Sequence, residues 1–200
     1  MSQQPAAPER PARYDRTFGG LIAAMIATVL FVVGFVAFRG LTRDNPQAEI
    51  TPVDYLQSVV DLQRAGTQVV YPPQLPAGWV ATSVDFERGN PPQWGLGVLT
   101  DDPGGREFVG LALAQRDVDD MLADYVDQDP DEGADASPSN QLGASTWQTW
   151  SDAGGDHAFS TVLDSGPLAG QTVLVYGSAP VSDLETFLGL LTTAPAAGNP

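Results

Sequence analysis

The sequence contains no cysteine and no lysine, and it has a single histidine, His157. The absence of cysteine excludes disulfide bonds, thiolate metal sites, cysteine nucleophiles and a lipid anchor attached to cysteine. It also suits an oxidising compartment, where free thiols are a liability. Phosphate-binding loops, dinucleotide-binding fingerprints and Cys/His metal sites are absent as well, so the sequence predicts no cofactor.

Positive charge is scarce. The chain has nine arginines and 25 acidic residues, which gives a net charge of −16. Residues 1–43 carry a net +3, whereas residues 44–200 contain four arginines and 23 acidic residues, a net −19. A domain this acidic should repel nucleic acid, since phosphate binding needs clustered Lys and Arg. The acidity is more typical of a well-solvated surface than of a dedicated cation site.

One long apolar segment, residues 18–38, carries no charge. A helix of this length reaches about 30 Å, which is enough to cross the hydrocarbon core of a bilayer. A cleaved signal peptide is the alternative, but its apolar region spans only about 7–15 residues and ends at a small-x-small site. Here Phe38-Arg39-Gly40 closes the segment. The sequence therefore predicts an uncleaved transmembrane helix in contact with the lipid bilayer.

The charges that flank this segment predict its orientation. Arg10, Arg13 and Arg16 precede it, and two arginines follow it. The positive-inside rule then places the N-terminus in the cytoplasm and the acidic C-terminal domain outside the cell membrane. Residues 1–17 are rich in Pro, Ala and Arg, which predicts a disordered cytoplasmic tail, and residues 39–51 form a linker.

Residues 52–194 carry the helix and strand signals of one extracytoplasmic domain. A first helix is predicted from Thr51 as cap through Gln63, a second over residues 116–126, and a third from the capping box at Ser182. Alternating apolar residues between Gly-rich turns predict the strands. The strand candidates are residues 68–71, 79–87, 94–100, 107–115, 145–151, 157–164 and 171–178.

The order of these elements predicts an α+β fold. Short Gly-rich connections between the last three strands favour antiparallel hairpins. Runs of strands interrupted by single helices predict a mainly antiparallel sheet of about six strands packed by helices. Residues 127–143 have no apolar pattern and are predicted to be an acidic surface loop, and residues 195–200 to be a disordered tail.

Four motifs in this order resemble one known family. They are Leu75-Pro76-x-Gly78-Trp79, Trp94-Gly95-x-Gly97, Gly143-x-x-x-Trp147 and Tyr176-Gly177-Ser178-Ala179. The chain resembles, over nearly its whole length, the actinobacterial membrane-anchored proteins of domain of unknown function 4245. The resemblance implies a membrane anchor and this architecture, but no activity and no functional residue. The element order is also similar to the fold shared by the photosystem accessory protein PsbP and the Ran-binding protein Mog1, whose members generally act in binding or assembly.

Two features suggest chemistry, and each has a simpler interpretation. His157 would serve as a general base with Asp156 or Asp164, but no Gly-x-Ser-x-Gly elbow accompanies it, and an exposed strand-edge position is the simpler interpretation. The acidic loop at residues 127–135 begins like a calcium loop, but Glu132 stands where an EF-hand needs glycine. A loose divalent-cation site and a solvated loop both stay open.

The tryptophans are the candidates for a ligand or partner surface. Trp147 and Trp150 are three residues apart on one predicted strand, so they should point to opposite faces of the sheet. One of them must leave the main core, to pack under a helix, line a pocket or meet a partner. Trp94, Trp147 and Trp150 are therefore the predicted partner-surface residues, and a core position is the alternative for each.

These observations favour a non-enzymatic, membrane-anchored binding or assembly module that faces the cell envelope. Its partner would be an envelope protein, a lipid or a glycan. Two other hypotheses stay open: a small envelope hydrolase using Asp/Glu or His157, and a subunit of a membrane protein complex that docks through the small residues of the span, such as Gly20 and Ala24.

Overall fold

The computed structural model describes Met25 and residues 51–101, 105–144 and 146–196. The chain forms two compact units, Met1–Glu49 and Ile50–Pro200. None of the helices in the described part of the chain has both the length and the apolarity needed to span a bilayer.

Several predicted segments fall outside the described residues. They are the tail at residues 1–17, the span at residues 18–38 except for Met25, the linker at residues 39–51 except for Thr51, and the end of the C-terminal tail at residues 197–200.

The second unit contains one antiparallel sheet and three helices, which confirms the α+β prediction. The helices are α1 (Tyr55–Arg64), α2 (Val118–Tyr125) and α3 (Val181–Leu190). The strands are β1 (Val80–Glu87), β2 (Gln93–Leu99), β3 (Phe108–Ala114), β4 (Asp131–Glu132), β5 (Gln148–Ser151), β6 (His157–Val162) and β7 (Thr172–Gly177). Their order in the sheet is β1-β2-β3-β7-β6-β5-β4.

The pairing of β3 with β7 joins the two halves of this sheet. Leu111 lies opposite Val175 in that pair, and both side chains belong to the larger of two hydrophobic clusters. The β5–β6 and β6–β7 pairs are antiparallel hairpins, as their short Gly-rich connections predicted. The β1–β2 and β2–β3 pairs are antiparallel hairpins as well. Because β1 and β4 end the sheet, each has a backbone edge without a neighbouring strand in the described part of the chain.

Two predictions about the strands were wrong. Residues 68–71 form no strand; Tyr71 makes an isolated bridge to Thr192, since Pro72 and Pro73 follow and prevent a longer ladder. The acidic loop contains β4, which pairs with β5 and raises the strand number to seven. Both β4 side chains are exposed, so this strand leaves no apolar pattern in the sequence.

The helix starts also differ from the predictions. Helix α1 begins at Tyr55, and Asp54 instead of Thr51 is its cap, because the Asp54 carboxylate accepts a hydrogen bond from the Gln57 amide at 3.1 Å. Helix α3 begins at Val181 after Pro180 and has no side-chain cap, so the capping box predicted at Ser182 does not form.

The two faces of the sheet are covered unequally. On one face, which we call the two-helix face, α1 and α3 pack over the larger cluster through Tyr55, Val59, Leu184, Phe187 and Leu188. On the other, the one-helix face, Met121 and Leu122 of α2 pack over a smaller cluster formed with Ala112, Ala114, Ala158 and Leu174. With eight residues, α2 is too short to cover the whole sheet.

Candidate functional site

The uncovered part of the one-helix face forms a groove over β1, β2 and β3. Its volume is about 240 Å³. Gly95 and Gly97 alternate on this face of β2 and provide a floor without side chains. Glycine at such positions lets another group approach the backbone closely, which is the usual reason for glycine inside a strand.

One wall of the groove is aromatic. The rings of Tyr125 and Tyr176 lie 5.0 Å apart between centroids at 41°, and those of Phe108 and Tyr176 lie 5.9 Å apart at 59°. Both spacings are within the range of favourable aromatic pairs. The three residues come from α2, β7 and β3, so the fold assembles a continuous row of rings that the sequence separates.

Gly110 of β3 holds Tyr176 flat against the sheet. It lies opposite Tyr176 in the β3–β7 pair, and a Cβ at this position would lie 2.6 Å from Cε1 of that ring. Since real Cβ contacts are longer, only glycine permits this placement of the ring. The orientation of Tyr176, and with it the centre of the aromatic wall, therefore depends on Gly110.

The opposite wall is acidic and belongs to the edge strand β1. Asp85 and Glu87 are exposed and alternate with Val84 and Phe86, which pack on the two-helix face. Gln93 donates a hydrogen bond of 3.4 Å to the Glu87 carboxylate. Successive side chains of a strand point to opposite faces, so both carboxylates lie on the groove side.

The environment of the two groove tyrosines makes their hydroxyls harder to ionise. Burial raises the pKa of Tyr176 to about 12, and Tyr125 and Asp85 add to the shift. Burial also raises the pKa of Tyr125, to which Asp124, Glu87 and Asp85 contribute while Arg116 opposes them. Neither hydroxyl makes a hydrogen bond to another side chain or backbone group in the described residues. Each is therefore a neutral donor and acceptor available to a ligand.

No basic side chain lines the groove in the part of the chain that the structure describes. Arg116, whose charge acts on Tyr125, bonds instead to Asp124 at 2.7 Å and donates to the Asp120 carbonyl at 3.1 Å. The hydrogen bond to Asp124 is the largest cause that raises the pKa of Arg116, and the charges of Asp124 and Asp120 add to it. The carboxylates of β1 are thus left without a cationic partner from the described chain.

The three candidate tryptophans occupy different places. Trp94 lines one end of the groove, although its indole is buried in the larger cluster with 2% exposure. Trp147 is fully buried in the same cluster. Trp150 packs against the smaller cluster, and its Nε1 donates to Ser160 Oγ at 2.9 Å. The structure therefore confirms that Trp147 and Trp150 face opposite sides of the sheet, and it does not bring the three together.

The other sequence candidates lie apart from the groove. His157 is the first residue of β6, opposite Ser151 and Gly177, and no hydrogen bond or ion pair joins its side chain to another described residue. In the acidic loop, the Asp129 amide donates to the Asp127 carboxylate at 3.3 Å. Within the described residues, no three His, Asp or Glu side chains are grouped so as to hold a metal ion.

Comparison with known proteins identifies a family. The family model described as "Protein of unknown function (DUF4245)" matches residues 13–191. The chain belongs to this family. No curated protein and no solved structure matches the chain, so the similarity to PsbP and Mog1 stays a prediction.

In this DUF4245 chain, most residues that line the groove were not among the site residues predicted from the sequence. Helical spacing over residues 116–126 would place Tyr125 in one buried stripe with Met121 and Leu122, but Tyr125 is 38% exposed. Asp85 and Tyr176 were not predicted as site residues either. The signal that points to the groove is the Gly95-x-Gly97 pattern, because it leaves one face of a central strand without side chains.

Proposed function

We propose that this DUF4245 protein is a membrane-anchored, extracytoplasmic binding or assembly module, and that the groove over β1–β3 is its ligand site. The proposed ligand classes are an envelope protein, a lipid or a glycan. The observation that carries the proposal is the groove itself, in which aromatic rings face two carboxylates across a glycine floor.

The composition of the groove is typical of binding. Tyrosine supplies a rigid apolar surface with a polar end at little cost in conformational entropy, which is why it is enriched where proteins bind partners. Two such rings and two carboxylates converge here, and the tyrosine hydroxyls have no partner among the described residues. At about 240 Å³ the groove is smaller than the roughly 300–1,000 Å³ of pockets for drug-sized ligands. It therefore suits one side chain or one sugar ring of a larger partner.

Support for the membrane anchor comes from the sequence. The uncharged segment at residues 18–38 is long enough to cross a bilayer, and the arginines before it favour a cytoplasmic N-terminus. An anchor in this orientation would put the acidic domain, and the groove with it, on the outer side of the membrane.

The groove does not favour the hydrolase alternative. Asp85 and Glu87 are both exposed, whereas the general acid of a glycoside hydrolase lies in an apolar pocket. His157 lies outside the groove and has no carboxylate partner among the described residues. Among the residues that the structure describes, neither the groove nor the surroundings of His157 has a nucleophile, a base and an orienting group in contact.

Affinity purification from native membranes tests the binding claim. Tagged full-length wild type is compared with the groove variant Asp85→Asn/Tyr125→Ala and with the control Asp119→Asn/Glu185→Gln, whose altered side chains are exposed and outside the groove. Bound proteins, lipids and glycans are identified by mass spectrometry. We expect a component that the control retains and the groove variant loses. Equal recovery with all three proteins would contradict the assignment of the groove.

A further inference from the structure

The acidic wall of the groove is also a free sheet edge. β1 ends the sheet, and β2 is its neighbour on the inner side only. Along its outer side, the backbone contact within the described residues is a hydrogen bond of 2.9 Å from the Val53 amide to the Ala81 carbonyl. Residues 83–87 therefore present backbone donors and acceptors that an extended chain can pair with.

The charges on this edge disfavour a second copy of the same chain. If two β1 strands paired antiparallel about Asp85, that carboxylate would lie opposite its own copy, and Ser83 would lie opposite Glu87. Like charges directly opposite on paired strands are destabilising. Charged side chains on an edge strand are a common device against self-association.

The same charges favour a basic strand. Side chains at alternate positions of an added strand would lie beside Ser83, Asp85 and Glu87, and so on the groove side. We infer that an extended segment of another protein, with basic side chains at alternate positions, pairs with residues 83–87 of β1 and inserts those side chains into the groove. This inference rests on the proposed function and names its partner class.

Arginine matches the groove better than lysine does. A planar guanidinium can bond to a carboxylate through two N–H groups and stack on an aromatic ring at the same time. Asp85 and Glu87 supply the carboxylates, and Tyr125 and Tyr176 supply the rings. The net negative charge of residues 44–200 would also attract a basic segment before contact.

Binding of synthetic peptides to the full-length protein in detergent tests this inference. The probe is a fluorescein-labelled octapeptide of alternating Arg and Thr, measured by fluorescence anisotropy at about 0.15 M salt, where charges beyond about 8 Å are screened. One comparison peptide has the same composition with its arginines consecutive, and another has citrulline in place of arginine. The peptide with consecutive arginines separates strand pairing from charge attraction. The citrulline peptide removes the positive charge of the side chain while keeping its shape.

The protein variants form a matched pair. Asp85→Asn/Glu87→Gln removes two charges from the groove, and Asp119→Asn/Asp135→Asn removes two from exposed positions elsewhere. We expect the groove pair to weaken binding of the alternating peptide about tenfold or more, because charge-assisted hydrogen bonds are lost. The control pair should weaken it less than about threefold. Hydrogen exchange of residues 83–87 should slow when the alternating peptide binds. Tryptophan fluorescence verifies that each variant is folded.

Three results would overturn the inference: equal affinity for the alternating and consecutive peptides, equal loss in both double variants, or no binding at about 1 mM peptide. If one of them occurs while the groove variant still loses its native ligand in the membrane purification, the basic-strand inference fails and the binding module stands. If the membrane purification also shows no difference, both fail.

Discussion

Adding one methyl group at Gly110 should distort the aromatic wall and destabilise the domain. In Gly110→Ala, the new Cβ would lie 2.6 Å from Tyr176 Cε1. Tyr176 cannot move aside within the row, because Tyr125 lies 5.0 Å and Phe108 5.9 Å from its ring centroid. The ring must therefore leave the sheet and lose its burial, or the β3–β7 pair must separate locally.

The expected loss is about 1–3 kcal/mol in the free energy of unfolding, the usual cost of overpacking a filled site. Urea unfolding of the full-length protein in detergent measures it, with tryptophan fluorescence as the signal. Trp94 and Trp147 are suitable reporters because both are buried, with 2% and 0% exposure.

Gly95→Ala is the matched control, because it lies on the same face of the neighbouring strand. Its Cβ would lie 3.4 Å from the Asp85 Cβ, an ordinary contact, so stability should change by less than about 1 kcal/mol or rise slightly. In a Tyr176→Ala background the penalty of Gly110→Ala should disappear, since the clashing ring is absent. A Gly110→Ala protein as stable as wild type, or a penalty that persists without Tyr176, would refute this explanation of the groove.

Three further predictions follow from burial, ionisation and location. Trp147→Ala should cost about 3–5 kcal/mol of stability in urea unfolding, and Trp150→Ala about half as much because its indole is only partly buried; equal costs would contradict the packing described here. The contribution of Tyr176 to the free energy of unfolding should be fully present below about pH 10 and be lost between about pH 10 and about pH 12, because the unfolded chain releases a proton that folded Tyr176 retains. Tyr55 should add a similar loss, since its pKa is also raised to about 12. Tyr176→Phe should therefore reduce the fall without abolishing it, and an unchanged profile would contradict the pKa shift of Tyr176. Since the chain has no cysteine, a membrane-impermeant maleimide should label Ser137→Cys in intact cells and Ser2→Cys only after lysis, and the reverse pattern would overturn the proposed orientation.

Most of the fold could be predicted from the pattern of strands and helices in the sequence. Six longer strands and three helices were predictable because alternation and helical spacing are local, and hairpin connections identify neighbouring strands. The closing β3–β7 pair was not predictable, since 57 residues separate Ala114 at the end of β3 from Thr172 at the start of β7, and the two segments have no local signal for each other. β4 was missed because backbone pairing alone, with both side chains exposed, produces no hydrophobic pattern.

The groove was predictable only in part. Gly95 and Gly97 indicate that one face of β2 lacks side chains. Which residues surround that face depends on the order of the strands in the sheet. A β-bulge between Ala81 and Ser83 also changes the alternation of β1. Strict alternation with Val84 and Phe86 would point Val80 and Thr82 to the core, but Ala81 is the residue that is buried there. Tyr125 matched the helical stripe by spacing, yet its helix ends at the border of the open face, where the ring is exposed.

Photo-crosslinking in living cells from a single position in the groove tests the proposed binding site most directly. A benzophenone maleimide attached to Gln93→Cys would place the probe on the groove, and the same probe on Ser137→Cys, which is exposed and lies outside it, is the control. The proposed site predicts a defined crosslinked product from position 93 that Asp85→Asn/Glu87→Gln abolishes and that position 137 does not give. The same products from both positions, or no product from position 93, would contradict it.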